Sequence, residues 1–265
     1  MKSIFSSRGR RLSSALIGGL IAVLMTLVFA APASAGVIGT DDRYQLTATT
    51  THPYSTVVEI QLPGSLGKCS GWMYASNMVA TAGHCVYDKT AVTNGTFDIT
   101  GMTVWPGRNG SSTPYGACGV VKSYVPAGWT SGQTSTQPGN EAFDYGALKL
   151  NCTVGNQTGL LSYGVTPTVG YSTRLCGYPS DKTVDTMWCS DDQVRAADAY
   201  QVFYSNDTAT RMSGSPVMEW TGTAWNAVAI HTMSVHGTAY NHYTYNHGTR
   251  ITSTVASDLA TWQNS

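Results

Sequence analysis

Three short segments carry side chains able to combine in nucleophilic chemistry. Thr81-Ala82-Gly83-His84-Cys85 offers an imidazole, Ala142-Phe143-Asp144-Tyr145-Gly146 a carboxylate with apolar neighbours, and Met212-Ser213-Gly214-Ser215-Pro216 a hydroxyl among turn-forming residues. A serine hydroxyl is a weak nucleophile until a neighbouring base takes its proton. An imidazole serves as that base near neutral pH. A carboxylate accepting from its second ring nitrogen fixes the tautomer and stabilises the imidazolium formed in the transition state. Each segment also has an ordinary reading: a structural histidine, a turn aspartate, a Ser-Gly turn. Asp144 is the least ordinary of the three, because a carboxylate among apolar residues is rarely buried without a partner.

Chain order separates the readings. His, then Asp, then Ser is the order of the chymotrypsin type, whereas subtilisins run Asp, His, Ser and α/β-hydrolases run Ser, Asp, His. No Gly-x-Ser-x-Gly nucleophile elbow occurs in the sequence, which speaks against an esterase or lipase.

Groups this far apart in sequence need a fold to bring them together, and the signals are those of β-structure. Segments rich in Val, Ile, Thr and Tyr recur at 55–61, 78–82, 98–104, 119–125, 145–150, 202–204 and 227–230, separated by turn pairs such as Pro63-Gly64, Pro106-Gly107 and Asn109-Gly110. Many short strands between frequent turns predict an all-β barrel or sandwich. The polar stretch from Gly128 to Asn140 reads as a surface loop. After Thr252-Ser253, the spacing of Val255, Leu259 and Trp262 predicts one short C-terminal α-helix.

Residues 1–36 read as a bacterial signal peptide. Lys2, Arg8, Arg10 and Arg11 precede an apolar run, and Ala33-Ser34-Ala35 suits signal peptidase. Removing those four basic residues leaves 11 Lys+Arg against 15 Asp+Glu, a net charge of −4. Neither nucleic acid nor, after cleavage, a membrane is expected as a partner. The six cysteines, at 69, 85, 118, 152, 176 and 189, lie behind the leader and read as three disulfides, with sequence neighbours favoured: Cys69–Cys85, Cys118–Cys152 and Cys176–Cys189. No zinc motif is present, and the histidines at 52, 236, 242 and 247 match no ligand spacing, so neither metal nor cofactor is expected.

These motifs together resemble the glutamyl endopeptidases of staphylococci and bacilli, a branch of the chymotrypsin-like serine peptidases. The resemblance runs over nearly all of residues 37–262. It is carried by Val37-Ile38 with Asp42-Arg43, by Thr81–Cys85, Asp144–Lys149 and Ser213–Val217, by Gly177-Tyr178-Pro179 with Asp181-Lys182, by Thr186-Met187-Trp188, by Ala229–Thr232, and by Gly248–Thr252. It implies two six-stranded barrels, 37–155 carrying His84 and Asp144, and 156–265 carrying Ser213, the specificity pocket and the C-terminal helix. It further implies an endopeptidase acting on proteins or peptides; the leader implies secretion, and a monomer is the default expectation with oligomeric state open.

The resemblance also assigns roles. The backbone amides of Arg211 and Ser213 would form an oxyanion hole. Thr208, His231, Ser234 and the α-amino group of Val37 would bind an acidic side chain before the scissile bond, with His231 as an imidazolium. Because the leader ends beside Val37, export is expected to leave a chain starting at Gly36 or Val37. Two positions depart from the family: Arg211 and Ser234 stand where relatives usually have Gly. A peptidase of other narrow specificity, or a protease-like binding protein with little turnover, stays open at this point.

Overall fold

The computed structural model describes residues 36–64, 66–87, 98–131, 140–164, 167–235 and 244–265. All of the expected signal peptide except Gly36, together with His236 and His242, lies outside them. No helix among the described residues is long and apolar enough to cross a membrane.

Strand β1 is the short pair Tyr44–Gln45. Strands β2 (Val57–Gln61), β3 (Lys68–Ala75), β4 (Met78–Thr81), β5 (Thr103–Pro106), β6 (Cys118–Tyr124) and β7 (Gly146–Leu150) close into a barrel in the order β2-β3-β4-β7-β6-β5. β8 (Ser162–Tyr163) leads to β9 (Ser172–Gly177), β10 (Trp188–Ala197), β11 (Gln201–Tyr204), β12 (Pro216–Trp220), β13 (Trp225–Met233) and β14 (Asn246–Arg250). Six of these close a second ring, β9-β10-β11-β14-β13-β12, through the pairing of β9 with β10, while β1 and β8 add to its edges. This is the all-β double six-stranded barrel that the resemblance implies.

Burial explains the strands. Val57, Val58 and Ile60 of β2, Trp72 and Met73 of β3, and Met78 and Val79 of β4 are fully buried in the first barrel, and Leu175, Val202, Tyr204 and Val217 in the second. β14 has the polar sequence Asn-His-Gly-Thr-Arg yet is almost wholly buried. Gly248 permits this, since a Cβ there would lie 2.3 Å from the carbonyl oxygen of Ile230. One expected strand is shorter than its sequence suggests. Within 98–104, Asp98 caps a 3-10 turn, Ile99–Gly101, by accepting the Thr100 amide at 2.9 Å, and extended structure begins only at Thr103.

The ends of the described chain cross between barrels. β1 pairs with β10 of the second barrel, and the Arg43 guanidinium behind it bridges Asp41 and Asp181. The helix Ser253–Gln263, capped by the Thr252 hydroxyl accepting from the Val255 amide, packs on the first barrel. There Trp262 lies 5.8 Å from the rings of both Tyr124 and Tyr145, and the Tyr145 hydroxyl donates to Asp258 at 2.6 Å. The disulfides join Cys69 to Cys85, Cys118 to Cys152 and Cys176 to Cys189.

Candidate active site

β4 runs straight into a single helical turn, Gly83–Val86, which carries His84. The Cys69–Cys85 bridge ties that turn to β3. Asp144 follows the 3-10 turn Glu141–Phe143 and is fully buried. Its Oδ1 accepts the His84 backbone amide at 2.9 Å and its Oδ2 accepts from the ring Nδ1 at 2.8 Å. Burial works against a charged His84, but the charge and hydrogen bond of Asp144 outweigh it and hold the imidazole pKa above its ordinary value. From β14 of the second barrel, the Thr249 hydroxyl sits within hydrogen-bond reach of the carbonyls of Glu141 and Asp144, at 2.9 and 3.1 Å.

Ser213 lies in the turn before β12. The turn is sewn to the first barrel by Ser70, whose role the sequence did not disclose. The Ser70 amide donates to the Ser213 carbonyl at 2.8 Å, and its hydroxyl donates to the Arg211 carbonyl at 3.0 Å. Gly214 has φ +87°, and a Cβ there would fall 2.1 Å from the Ser70 carbonyl oxygen and the Thr81 hydroxyl, so only glycine fits.

The peptide planes decide where the amides point. The Thr210 carbonyl accepts from Ser180 and the Met212 carbonyl accepts from Ser215. In a trans peptide the N–H opposes the C=O, so the Arg211 and Ser213 amides are turned away from those partners. Neither donates a hydrogen bond among the described residues. Arg211 reaches this geometry at φ +78°, an uncommon conformation for a residue with a side chain.

His84, Thr210, Arg211 and Ser213 line one cavity of about 240 Å³ together with Leu62, Leu66, Lys68 and Cys69. The other anticipated residues lie outside it. His231, on β13, is buried and hydrogen-bonds through Nδ1 to the Tyr204 hydroxyl at 2.7 Å, while its carbonyl accepts the Gly214 amide at 2.7 Å. The expected imidazolium needs correcting. Burial, reinforced by His247 and His84, pushes the His231 pKa down to about 3, so the ring is neutral in the free protein. Thr208 is fully buried, and its hydroxyl has no hydrogen-bond partner among the described residues. Ser234 follows the end of β13 and is half-buried.

The N-terminal segment docks beside Thr208. The Asp207 carboxylate accepts the amides of Ile38 (2.7 Å) and Asp42 (2.9 Å), and the Gly36 carbonyl accepts from the Thr208 amide (3.2 Å) and the Asn246 side chain (2.5 Å). Val37 is half-buried between these anchors. Its nitrogen becomes an α-amino group only when the Gly36–Val37 bond is cut.

Comparison with known proteins bears on the chemistry. Over 232 residues the chain is 41% identical to the "Glutamyl endopeptidase" of Bacillus licheniformis, covering 86% of this chain and 69% of that one. Over 259 residues it is 36% identical to a Bacillus subtilis protein named "Extracellular metalloprotease", covering 95% and 77% respectively. A solved structure of a Glu endopeptidase in complex with MPD matches with a TM-score of 0.73 at 26% identity, covering 86% of this chain and 100% of that one. No family model matches the sequence. The second relative's name implies a metal. Among the described residues the one group of three close donor residues is Cys69, His84 and Cys85, and their two sulfurs are spent on each other as a disulfide. Such a set offers no thiolate and does not fit a catalytic metal. Sequence identity and the double barrel agree instead on one lineage: this chain belongs to the glutamyl endopeptidase family of chymotrypsin-like serine peptidases.

Proposed function

We propose that His84, Asp144 and Ser213 are the catalytic triad of this serine endopeptidase, and that it cleaves after Glu and, less readily, Asp. The observation that carries the triad is the double grip of Asp144 on His84 beside a cleft shared with Ser213. His84 takes the Ser213 proton as the hydroxyl oxygen attacks the scissile carbonyl. The oxyanion is held by the Arg211 and Ser213 amides. His84, now protonated, passes its proton to the leaving amine. Water, activated by the same imidazole, then hydrolyses the acyl-enzyme.

Specificity rests on the buried Thr208 hydroxyl, unpartnered among the described residues, with the docked N-terminal segment near it and with His231 on the pocket wall as the resemblance implies. A carboxylate entering there would stay costly unless paired. It pulls a proton onto the neutral His231 ring, and after cleavage at Val37 it gains an ammonium partner, with Ser234 at the pocket entrance. The resemblance supports this reading of the pocket. The same reading makes residues 1–36 a signal peptide, the product a secreted monomer without nucleic-acid or membrane partners, and residue 155 the barrel boundary.

Two measurements test it together. A fluorophosphonate should label Ser213 in the unmodified protein and not in Ser213→Ala. Digestion of an unbiased peptide library should give products ending in Glu. Preference for Phe, Leu or Lys at that position would overturn the specificity and leave the triad standing.

A further inference from the structure

The leaving-group side of the cleft carries a charge that the fold does not use. If the acyl half of a substrate lies toward Thr208 and His231, its leaving half must cross the cavity walled by Leu62, Leu66, Lys68, Cys69 and Arg211. No Asp or Glu among the described residues lines that cavity. Lys68 is already engaged by Glu59 at 2.9 Å and by Asp185, and Arg108 closes the same cluster by pairing with both carboxylates. Two cations and two carboxylates balance there. Arg211 is different. It is half-buried, and its guanidinium has no ion pair or hydrogen bond among the described residues. Its backbone is held at φ +78°, where glycine would be unstrained. A strained position occupied by a cation that has no ion pair or hydrogen bond among the described residues is explained by something the cation meets in the cleft.

We propose that Arg211 forms a leaving-group subsite for a carboxylate, so that substrates with Asp or Glu among the first two residues after the scissile bond are preferred. The guanidinium presents a planar fork of donors matched to a carboxylate. Leu62 and Leu66 supply apolar wall for the methylenes of the same side chain. This inference rests on the proposed triad and on the direction in which substrate crosses it.

The test uses the full chain as secreted and paired peptides identical before the scissile bond, carrying Glu or Gln at the first or second position after it. Because the Arg211 amide also serves the oxyanion, the quantity read is the Glu-to-Gln ratio of kcat/KM within each enzyme. The unmodified enzyme should favour Glu about tenfold at low salt, the worth of one partly exposed charge-assisted hydrogen bond, and the preference should shrink as salt rises. Arg211→Gln, which removes the charge and keeps a polar side chain and the backbone strain, and Arg211→Gly should both bring the ratio to about one, while Arg211→Lys should retain part of it. An unmodified enzyme that cleaves both peptides equally, or a ratio unchanged in Arg211→Gln, overturns the subsite and leaves the triad intact. Absence of both peptide cleavage and fluorophosphonate labelling at Ser213 overturns the triad reading, and the subsite with it.

Discussion

Asp144 holds His84 at two points, the backbone amide through Oδ1 and the ring Nδ1 through Oδ2, at 2.9 and 2.8 Å. One buried carboxylate thus sets both the path of the chain at His84 and the orientation of its ring. Thr249 reaches the Asp144 and Glu141 carbonyls from the other barrel, so this grip depends on both barrels being docked.

Replacing Asp144 with Asn should lower turnover by about 10⁴. The pH profile should move as well. Catalysis needs the neutral imidazole, and Asp144 holds its pKa above the ordinary value. In the unmodified enzyme kcat/KM therefore rises with pH through a limb above about 6.5, and in Asp144→Asn that limb shifts to lower pH. Steady-state kinetics between pH 5 and pH 9 measure both effects. An unmoved limb would mean that another group sets it.

The Cys69–Cys85 disulfide should matter to turnover as well as to stability, because it anchors the His84 turn to β3. Replacing both cysteines with Ser should cost about 2–5 kcal/mol in urea unfolding. Kcat should also fall at temperatures where the variant remains folded. Removing Cys118–Cys152 should carry a similar stability cost without that loss of kcat. Equal kinetic effects from the two removals would deny the first bridge any positioning role.

At φ +78°, Arg211→Gly and Arg211→Ala should differ in stability. Alanine keeps the left-handed strain and glycine relieves it, by about 1 kcal/mol. The greater freedom of glycine in the unfolded chain offsets part of that gain. The glycine variant is expected to melt higher than the alanine variant, and calorimetry of the pair decides it.

Burial of neutral His231 makes the fold acid-sensitive. Its pKa is pushed down to about 3 in the folded protein, against about 6.5 when unfolded. The unfolded state therefore binds the extra proton first. The stability associated with His231 is complete above about pH 6.5 and declines as the pH falls toward 3. His231→Gln should flatten the slope of unfolding free energy against pH in that window. A slope unchanged by the substitution would assign the acid sensitivity to other groups.

Gly36 should not tolerate a side chain while it remains attached to the protein. A Cβ there would lie 1.7 Å from the Asn246 side-chain oxygen, and Asn246 is pinned by bonds to the Asn206 carbonyl and the Val235 amide. If the secreted enzyme begins at Gly36, Gly36→Val should lose activity on Glu substrates. If it begins at Val37, the secreted variant should be identical in mass and activity to the unmodified enzyme. Intact-mass analysis beside a Glu-substrate assay separates the two starts.

The proposed triad was readable because its three motifs are local and their chain order is distinctive, and the β class was legible because turn residues punctuate the sequence so regularly. What escaped is tertiary. Ser70 sits among Cys, Gly and Trp in a strand with no alternation, and nothing nearby announces that it stitches the Ser213 turn to the other barrel. The strand β14 is rich in polar residues that only its sheet partners bury. The neutrality of His231 follows from its depth in the second barrel and its proximity to His247 and His84, none of which neighbouring residues reveal. Arg211 was readable as a departure, but its lack of an ion-pair partner among the described residues emerged only once the ion pairs around Lys68 were placed.

The crossed chain ends have a consequence for dissection. β1 at the start of the described chain adds to the edge of the second barrel, the helix at the end of the chain packs on the first, and each disulfide lies wholly before or wholly after residue 160. A cut in the connection near Leu160 would therefore release two fragments with no covalent link, each lacking an element that the other holds. The two halves carry complementary straps, so activity is expected to return when they are brought together, as in a two-piece reporter.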